Sequence, residues 1–253
     1  MSEDKAHSTL EHFVNGAFKF CQLIGNALSA YHKWYIKNAD TIEQYILAFA
    51  NLGHWYAAVK VLADHQIVFT EDLTTEQITA INNGDNVDEI VEKHFFSNNS
   101  LHINDVICRC QMYVQLTPYA ELFTQITAAY AASHFHLACI GMFAVVDGVL
   151  ADFSENSKTN YKSRIEDIEK KIDAHLELND LDKKTLCIMR TITSFEEYIF
   201  KSHPFSENEP DGLNRHWVIH GRTRRMYDRM DFLKIVLWLD AIAFLDRKIS
   251  SKT

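Results

Sequence analysis

The segment from Phe135 to Leu150 limits the fold of this chain more than any other stretch, because it is apolar on more than one face of a helix. Its large apolar residues are Leu137, Ile140, Phe143, Val145, Val146 and Val149. A helix that is apolar all round is typical of the middle of a core, so other elements must pack around it. No run of the chain approaches the roughly 20 apolar residues of a membrane span, which favours a core helix.

The chain around this segment is predicted to be all-α. Only eight glycines and three prolines occur in 253 residues, too few for the frequent tight turns of a β-sandwich or barrel. Apolar residues at three- and four-residue steps predict helices over residues 11–38, 41–62, 119–132 and 226–249. A short β-like run, residues 67–70, has no second strand signal nearby, and we expect a loop or an edge piece there.

A polar cluster, Ser97-Asn98-Asn99-Ser100, is the most linker-like stretch of the chain. Small polar residues between periodic segments are typical of loops. The sequence therefore predicts an N-terminal helical region of unknown role, residues 1–100, followed by a helical domain, residues 101–253.

The charge and the cysteines argue against several classes of protein. A formal net charge of −9 disfavours unspecific wrapping of nucleic acid, which uses a basic surface. The five cysteines are odd in number and their one close pair is C-x-C, so neither a disulfide framework nor a thiolate zinc site is indicated. The N-terminus leads into a helix interrupted by polar residues, and we expect a cytoplasmic protein with no membrane attachment.

The stretch with the most chemical potential is Leu213-Asn214-Arg215-His216-Trp217-Val218-Ile219-His220-Gly221. It combines an amide, a guanidinium and two imidazoles within nine residues. Arginine forks well onto phosphate, and histidine is the side chain most able to exchange protons near neutral pH. More arginines follow directly, at positions 222, 224 and 225. The stretch indicates phosphate chemistry at a local basic site in an acidic chain.

Arg215, the polar His216 and, after three further residues, His220 resemble the signature of the HEPN superfamily (higher eukaryote and prokaryote nucleotide-binding domains). In that signature an arginine precedes Asn, Asp or His, and a histidine closes the motif. The apolar helix that follows, with Leu237-Trp238-Leu239-Asp240-Ala241-Ile242, is also similar to bacterial members. The resemblance covers roughly residues 101–253 and makes residues 137–150 the first core helix.

The resemblance implies a mostly antiparallel HEPN-like four-helix bundle, to which residues 1–100 would add an N-terminal helical layer. It further implies a homodimer in which two copies of the motif face each other. Many HEPN proteins are metal-independent endoribonucleases in phage defence or toxin systems, whereas others have lost activity and bind partners. Carried over to this chain, Arg215 and His220 would be the catalytic pair, with His216 beside them.

Residues near the motif extend this hypothesis by position and chemistry alone. Asn214 could hydrogen-bond phosphate or hold an imidazole, and Arg222, Arg224 and Arg225 could follow the backbone of single-stranded RNA. Asp147 lies inside the apolar segment, where a carboxylate is costly unless it is paired. It is therefore a candidate partner for Arg215 or a histidine, unless it lies on a wet edge of its helix.

A metal site is one alternative, because histidines four residues apart on a helix suit zinc or another transition ion. The third ligand would have to come from scattered residues such as His134, His136, His203 or Asp147. No H-E-x-x-H pattern is present, and we expect neither a metal nor another cofactor.

Two further alternatives involve no chemistry. Arg215 could be an ordinary salt-bridging residue, with His216 and His220 packed at a helix start. The chain could also be a non-catalytic dimeric scaffold that binds a nucleotide, RNA or a protein partner such as an antitoxin. Aromatic residues at helical spacings could line a partner groove, although such residues more often belong to a core: Tyr31, Trp34, Tyr35, Trp55 and Tyr56.

Overall fold

The computed structural model describes residues 53–70, 72–155, 163–164, 166–168, 170, 185, 187–189, 191–192 and 199–250. They belong to one compact unit that begins at Gly53. Within this described part the chain is helix and loop, without strands, so the all-α prediction is confirmed. The helix predicted over residues 11–38 lies outside the described residues.

The helices with defined bounds follow in chain order: α1 (Thr75–Asn82), α2 (Val87–Gln111), a 3₁₀ helix (Val114–Tyr119), α3 (Ala120–Ala131), α4 (Phe135–Ser154), α5 (Arg215–Ile219) and α6 (Arg229–Ser250). Residues 53–64 are also helical. The β-like run at residues 67–70 is irregular chain buried against the core. No second strand pairs with this run among the described residues.

Local sequence explains where the first helices begin. The Thr-x-x-Gln pattern predicts a reciprocal cap, and Thr74 and Gln77 each accept a hydrogen bond from the other's backbone N–H. The side chain of Asn86 accepts from the backbone N–H of Glu89, at 3.2 Å, and begins α2. These caps satisfy backbone donors that a helix start leaves free.

The polar cluster at residues 97–100 bends α2. Three of its residues have positive φ, between 50° and 60°, which breaks the regular helix. Fully buried residues lie on both sides of the bend, Phe95 before it and Ile103 after it, and they belong to the same core cluster. The predicted division at residue 100 therefore falls at a bend inside one compact unit.

Helices α4 and α6 form the centre of the core, with α3 packed on α4 and α2 packed on α6. Contrary to the sequence expectation, one helix among the described residues, α4, is long and apolar enough to cross a membrane. However, 56% of it is buried inside the protein, against α3 and α6. It is the core helix predicted from Phe135 to Leu150, extended to Ser154.

Candidate functional site

Asn214 begins the short helix α5, which carries the predicted motif. Its side-chain oxygen accepts from the backbone N–H of Trp217 at 3.1 Å, and its amide nitrogen donates to the Lys201 carbonyl at 3.0 Å. Only 3% of Asn214 is exposed. Both ends of its amide therefore hold the backbone, and the substrate-binding role predicted for Asn214 stays a prediction.

Gly221 ends α5 after five residues. Its φ of 62° is left-handed, and its N–H donates to the Val218 carbonyl at 3.0 Å. The N–H of Arg222 donates to the Trp217 carbonyl at 2.9 Å, which completes the two bonds of a Schellman ending. Glycine is favoured at this position because a Cβ atom would strain the backbone. The motif therefore lies on a helix with defined ends, and His220 is its C-cap.

Gln66, which is 147 positions away from Leu213 in the sequence, supports the loop before α5. Its side-chain oxygen accepts from the Leu213 N–H at 2.7 Å, and its amide nitrogen donates to the Leu213 carbonyl at 3.4 Å. Gly212 has a φ of 79°, and a Cβ atom on it would lie 2.3 Å from the Gln66 oxygen. Part of the region that the sequence left without a role thus holds the site in place.

Arg215 forms an ion pair with Asp147 of α4. Asp147 also lies near Arg164, whose Nη1 is 3.8 Å from its carboxylate and donates to its carbonyl at 3.2 Å. The guanidinium carbon of Arg215 is 5.7 Å from the ring centroid of Phe200. The contact suggested between Asp147 and Arg215 is present, so the carboxylate in the apolar helix is paired.

Beside this ion pair lies a group that we call the histidine cluster: Phe205, His216, His220 and Arg222. The His216 and His220 rings are 4.7 Å apart at 67°. Phe205 stacks on His216 at 4.7 Å with an interplanar angle of 4°, and its ring lies 5.6 Å from His220. The Arg222 guanidinium carbon is 5.1 Å from the Phe205 centroid. The two histidines share one exposed face with an aromatic ring.

The sequence missed Phe205, because the polar, turn-rich residues 204–210 predicted only a loop. The one available signal was an isolated aromatic residue among prolines, serine, asparagine and glutamates. Its position next to His216 is a tertiary contact between a loop and a helix, which no periodic pattern encodes.

The structure does not join Arg215 to His220 within one chain. They make no hydrogen bond, ion pair or ring contact with each other among the described residues. At about 100° per residue, positions 215 and 220 lie about 140° apart around a helix. Arg215 accordingly contacts Asp147, whereas the ring of His220 lies next to the ring of Phe205. The pair formed within the chain is His216 with His220.

The surroundings of His216 favour its neutral form. Partial burial is the largest cause that lowers its pKa, and the positive charges of His220, Arg215 and His203 lower it further. A neutral imidazole accepts a proton, so His216 is suited to act as a base near neutral pH.

Cations near the cluster differ in whether an acid neutralises them. Lys201, Arg222 and Arg224 have exposed side chains, and none of them has an acidic partner within the described residues. Arg225 instead forms an ion pair with the buried Asp231, which lies in the first turn of α6. The side chain of Arg225 is therefore engaged within the chain, and its predicted substrate-binding role stays a prediction. Arg222 and Arg224 stay accessible to an anion.

Glu209 ties together the two loops that flank α5. Its carboxylate accepts from the Thr223 hydroxyl and from the Arg224 backbone N–H, the latter at 2.9 Å. Burial acts to raise its pKa, but these hydrogen bonds outweigh burial and the pKa of Glu209 is lowered. The carboxylate therefore stays ionised and fixes the loop that carries Phe205 against the loop that carries Arg222.

A cleft of about 510 Å³ lies at the start of α6. Its charged lining residues are mostly paired with one another: Arg225 with Asp231, Arg229 with Glu92, and Lys234 with Asp88. Because its charges are already neutralised, the cleft offers less to a charged ligand than the histidine cluster does.

The metal alternative finds no third ligand in the described part of the chain. No group of three or more His, Cys, Asp or Glu side chains there is placed to hold a metal ion. His136 instead stacks on Tyr227, with centroids 5.1 Å apart, and His134 is exposed. Of the aromatic residues suggested for a partner groove, Trp55 packs on Phe69 at 5.3 Å, and residues 31, 34 and 35 lie outside the described residues.

Comparison of the chain with protein-family models, with curated proteins and with solved structures gives no match. The resemblance to the HEPN superfamily therefore depends on the motif residues themselves.

Proposed function

We propose that this protein is a metal-independent endoribonuclease of the HEPN type, acting as a homodimer in a defence or toxin-like role. The observation that carries the proposal is the pair of imidazoles, His216 and His220, 4.7 Å apart on an exposed face. Arg222 lies over Phe205 in the same cluster, and its side chain has no acidic partner in the described residues. RNA cleavage needs proton transfer and an anion-binding surface, and this face combines the two.

The reaction uses a nucleophile that the substrate itself supplies. His216, kept neutral by its surroundings, takes the proton from the ribose 2′-hydroxyl, and the 2′-oxygen forms a bond to phosphorus. The bond from phosphorus to the 5′-oxygen breaks, and His220 gives a proton to that leaving oxygen. The products are a 2′,3′-cyclic phosphate and a 5′-hydroxyl.

Arg215 is proposed to stabilise the charge that develops on the phosphate. Asp147 contacts its Nη2 atom and orients the guanidinium, while Nη1 makes no hydrogen bond to the described residues. The Arg215 side chain is 28% exposed. In the proposed dimer the Arg215 and His220 of two copies would meet at a composite site, which accounts for their separation within one chain.

A second candidate function is a non-catalytic dimeric module that binds a nucleotide, RNA or a protein partner such as an antitoxin. The ion pair of Arg215 with Asp147 favours this candidate, because a guanidinium held by a carboxylate is a weaker ligand for phosphate. The net charge of −9 favours it as well.

An RNA-cleavage assay in the presence of a chelator separates the two candidates. We expect cleavage by the wild type, with cyclic-phosphate ends, and a loss of about 10²- to 10⁴-fold in His216→Ala and in His220→Ala. His134→Ala, an exposed histidine outside the cluster, is the matched control and should keep full activity. Intact RNA after incubation with a folded wild-type dimer would refute cleavage and support the binding module.

A further inference from the structure

We propose that the histidine cluster recognises single-stranded RNA by stacking one base on Phe205, next to the bond that His216 and His220 would cleave. The inference rests on the proposed function, because it takes RNA as the ligand of the same site. It adds a specificity-determining residue and restricts the substrate to unpaired RNA.

Phe205 is an apolar ring held at the surface. It is 39% exposed, and its neighbours in the loop are mostly polar. From inside, Trp217 supports it edge to face at 5.6 Å, and Trp217 itself is only 7% exposed. His216 stacks on the ring face to face, at 4.7 Å, and Arg222 lies over the ring at 5.1 Å. A ring supported in this way becomes a platform for stacking when the guanidinium of Arg222 gives up its position to a base.

The ring already carries a cation, as stacking sites for bases often do. Arg222 lies over Phe205 at 5.1 Å, and a guanidinium plane and a nucleobase can both stack on an aromatic ring. A base that takes the place of the guanidinium would release Arg222 to bind the adjacent phosphate. Lys201 and Arg224 are exposed, have no acidic partners in the described residues, and belong to the segments on either side of α5, so they are further candidates for contact with the RNA backbone.

The ligand must be single-stranded for this contact to form. In an A-form duplex the bases are stacked inside the helix, and a protein ring reaches only their edges. An unpaired base exposes its whole face to Phe205. The Glu209 carboxylate holds the Phe205 loop in position, so the platform exists before the RNA binds.

The test uses a single-stranded RNA with 2′-O-methyl groups at every position and one fluorescent 2-aminopurine. The modification removes the nucleophile, so binding is measured without cleavage. We expect the wild type to quench the fluorescence, Phe205→Leu to bind about tenfold more weakly without quenching, and Phe205→Tyr to stay within about twofold. A thermal melt confirms that both variants fold. Equal binding and quenching by Phe205→Leu would overturn the proposal.

Further arms identify the ligand and separate this proposal from the proposed catalysis. A duplex of the same sequence that binds as tightly as the single strand would overturn it, and so would a mononucleotide that displaces the probe at equal concentration. Quenching by a wild type that leaves unmodified RNA intact would support stacking while refuting cleavage. Cleavage by Phe205→Leu with an unchanged KM would refute stacking while supporting cleavage. Cleavage by this variant with a higher KM and a similar kcat would support stacking.

Discussion

The histidine cluster differs from a second polar group, which we call the Arg109 clamp, in whether acidic side chains neutralise its arginine. The clamp consists of Arg109 on α2, Asp240 on α6 and Asp72. The Nη2 atom of Arg109 lies 2.7 Å from Asp72 and 2.8 Å from Asp240, and Nε and Nη1 make further hydrogen bonds to these acids. In the histidine cluster, Arg222 faces a ring and has no acidic partner in the described residues.

The charges of the clamp neutralise one another. Burial acts to lower the pKa of Arg109, but the hydrogen bonds and charges of Asp240 and Asp72 outweigh it and raise that pKa. A cation neutralised by two carboxylates contributes to stability and has little capacity for a ligand. In this acidic chain, a candidate site is therefore distinguished by a cation without an acidic partner, because an arginine alone can equally belong to a structural ion pair.

Removing Arg109 should have the largest effect on stability. We expect Arg109→Ala to lower the free energy of unfolding by about 3 kcal/mol, because it leaves Asp72 and Asp240 without their cation. This is the low end for a broken buried pair, since the three side chains are 15% to 29% exposed. Urea unfolding measures the change. Arg229→Ala breaks an ion pair whose members are 47% and 43% exposed, and this control should cost below about 1 kcal/mol.

Gln66 joins stability to the site and should have the next largest effect. Gln66→Ala removes both hydrogen bonds to Leu213, which is 1% exposed, and should lower the free energy of unfolding by about 2 kcal/mol. Gln125→Ala, an exposed position on α3, should change it by less than about 0.5 kcal/mol. An equal effect of the two substitutions in urea would show that Gln66 does not anchor the site.

His94 should make stability depend on pH away from the site. Burial, the largest cause, and the positive charge of His102 lower its pKa, while the negative charge of Asp72 opposes them. The unfolded chain therefore binds more protons, so stability from His94 is present above the ordinary histidine pKa of about 6.5 and is lost as pH falls through it. His94→Phe should make the decline in unfolding free energy from pH 7 to 5 shallower. An unchanged slope would contradict this assignment.

The smallest expected effect is a shift in one titration inside the histidine cluster. The charge of His220 is one of the causes that lower the pKa of His216, after burial. His220→Ala should therefore raise the pKa of His216 towards its ordinary value, without restoring it fully because burial remains. Proton–carbon NMR of the imidazole follows the titration. A pKa that falls in the variant would show that the two rings are not coupled as the structure places them.

Several features were predictable because they depend on neighbours in the sequence. The cap at Thr74, the extent of α4 from Phe135, and the short helix between Asn214 and Gly221 follow from side-chain caps, apolar periodicity and a left-handed glycine. The bend at residues 97–100 was predicted as a linker, since a break in a helix and a domain boundary use the same small polar residues.

The sequence by itself determined an all-α chain, its central apolar helix and the stretch from Asn214 to Gly221 on which the candidate site lies. Only the tertiary structure decided how that stretch is used. Arg215 meets Asp147 across 68 positions and Leu213 meets Gln66 across 147, while Phe205 reaches His216 from a loop without periodicity. Local patterns encode how a segment folds, whereas which charges become neutralised depends on packing between segments. That packing left His220 and Arg222 exposed beside the half-buried His216.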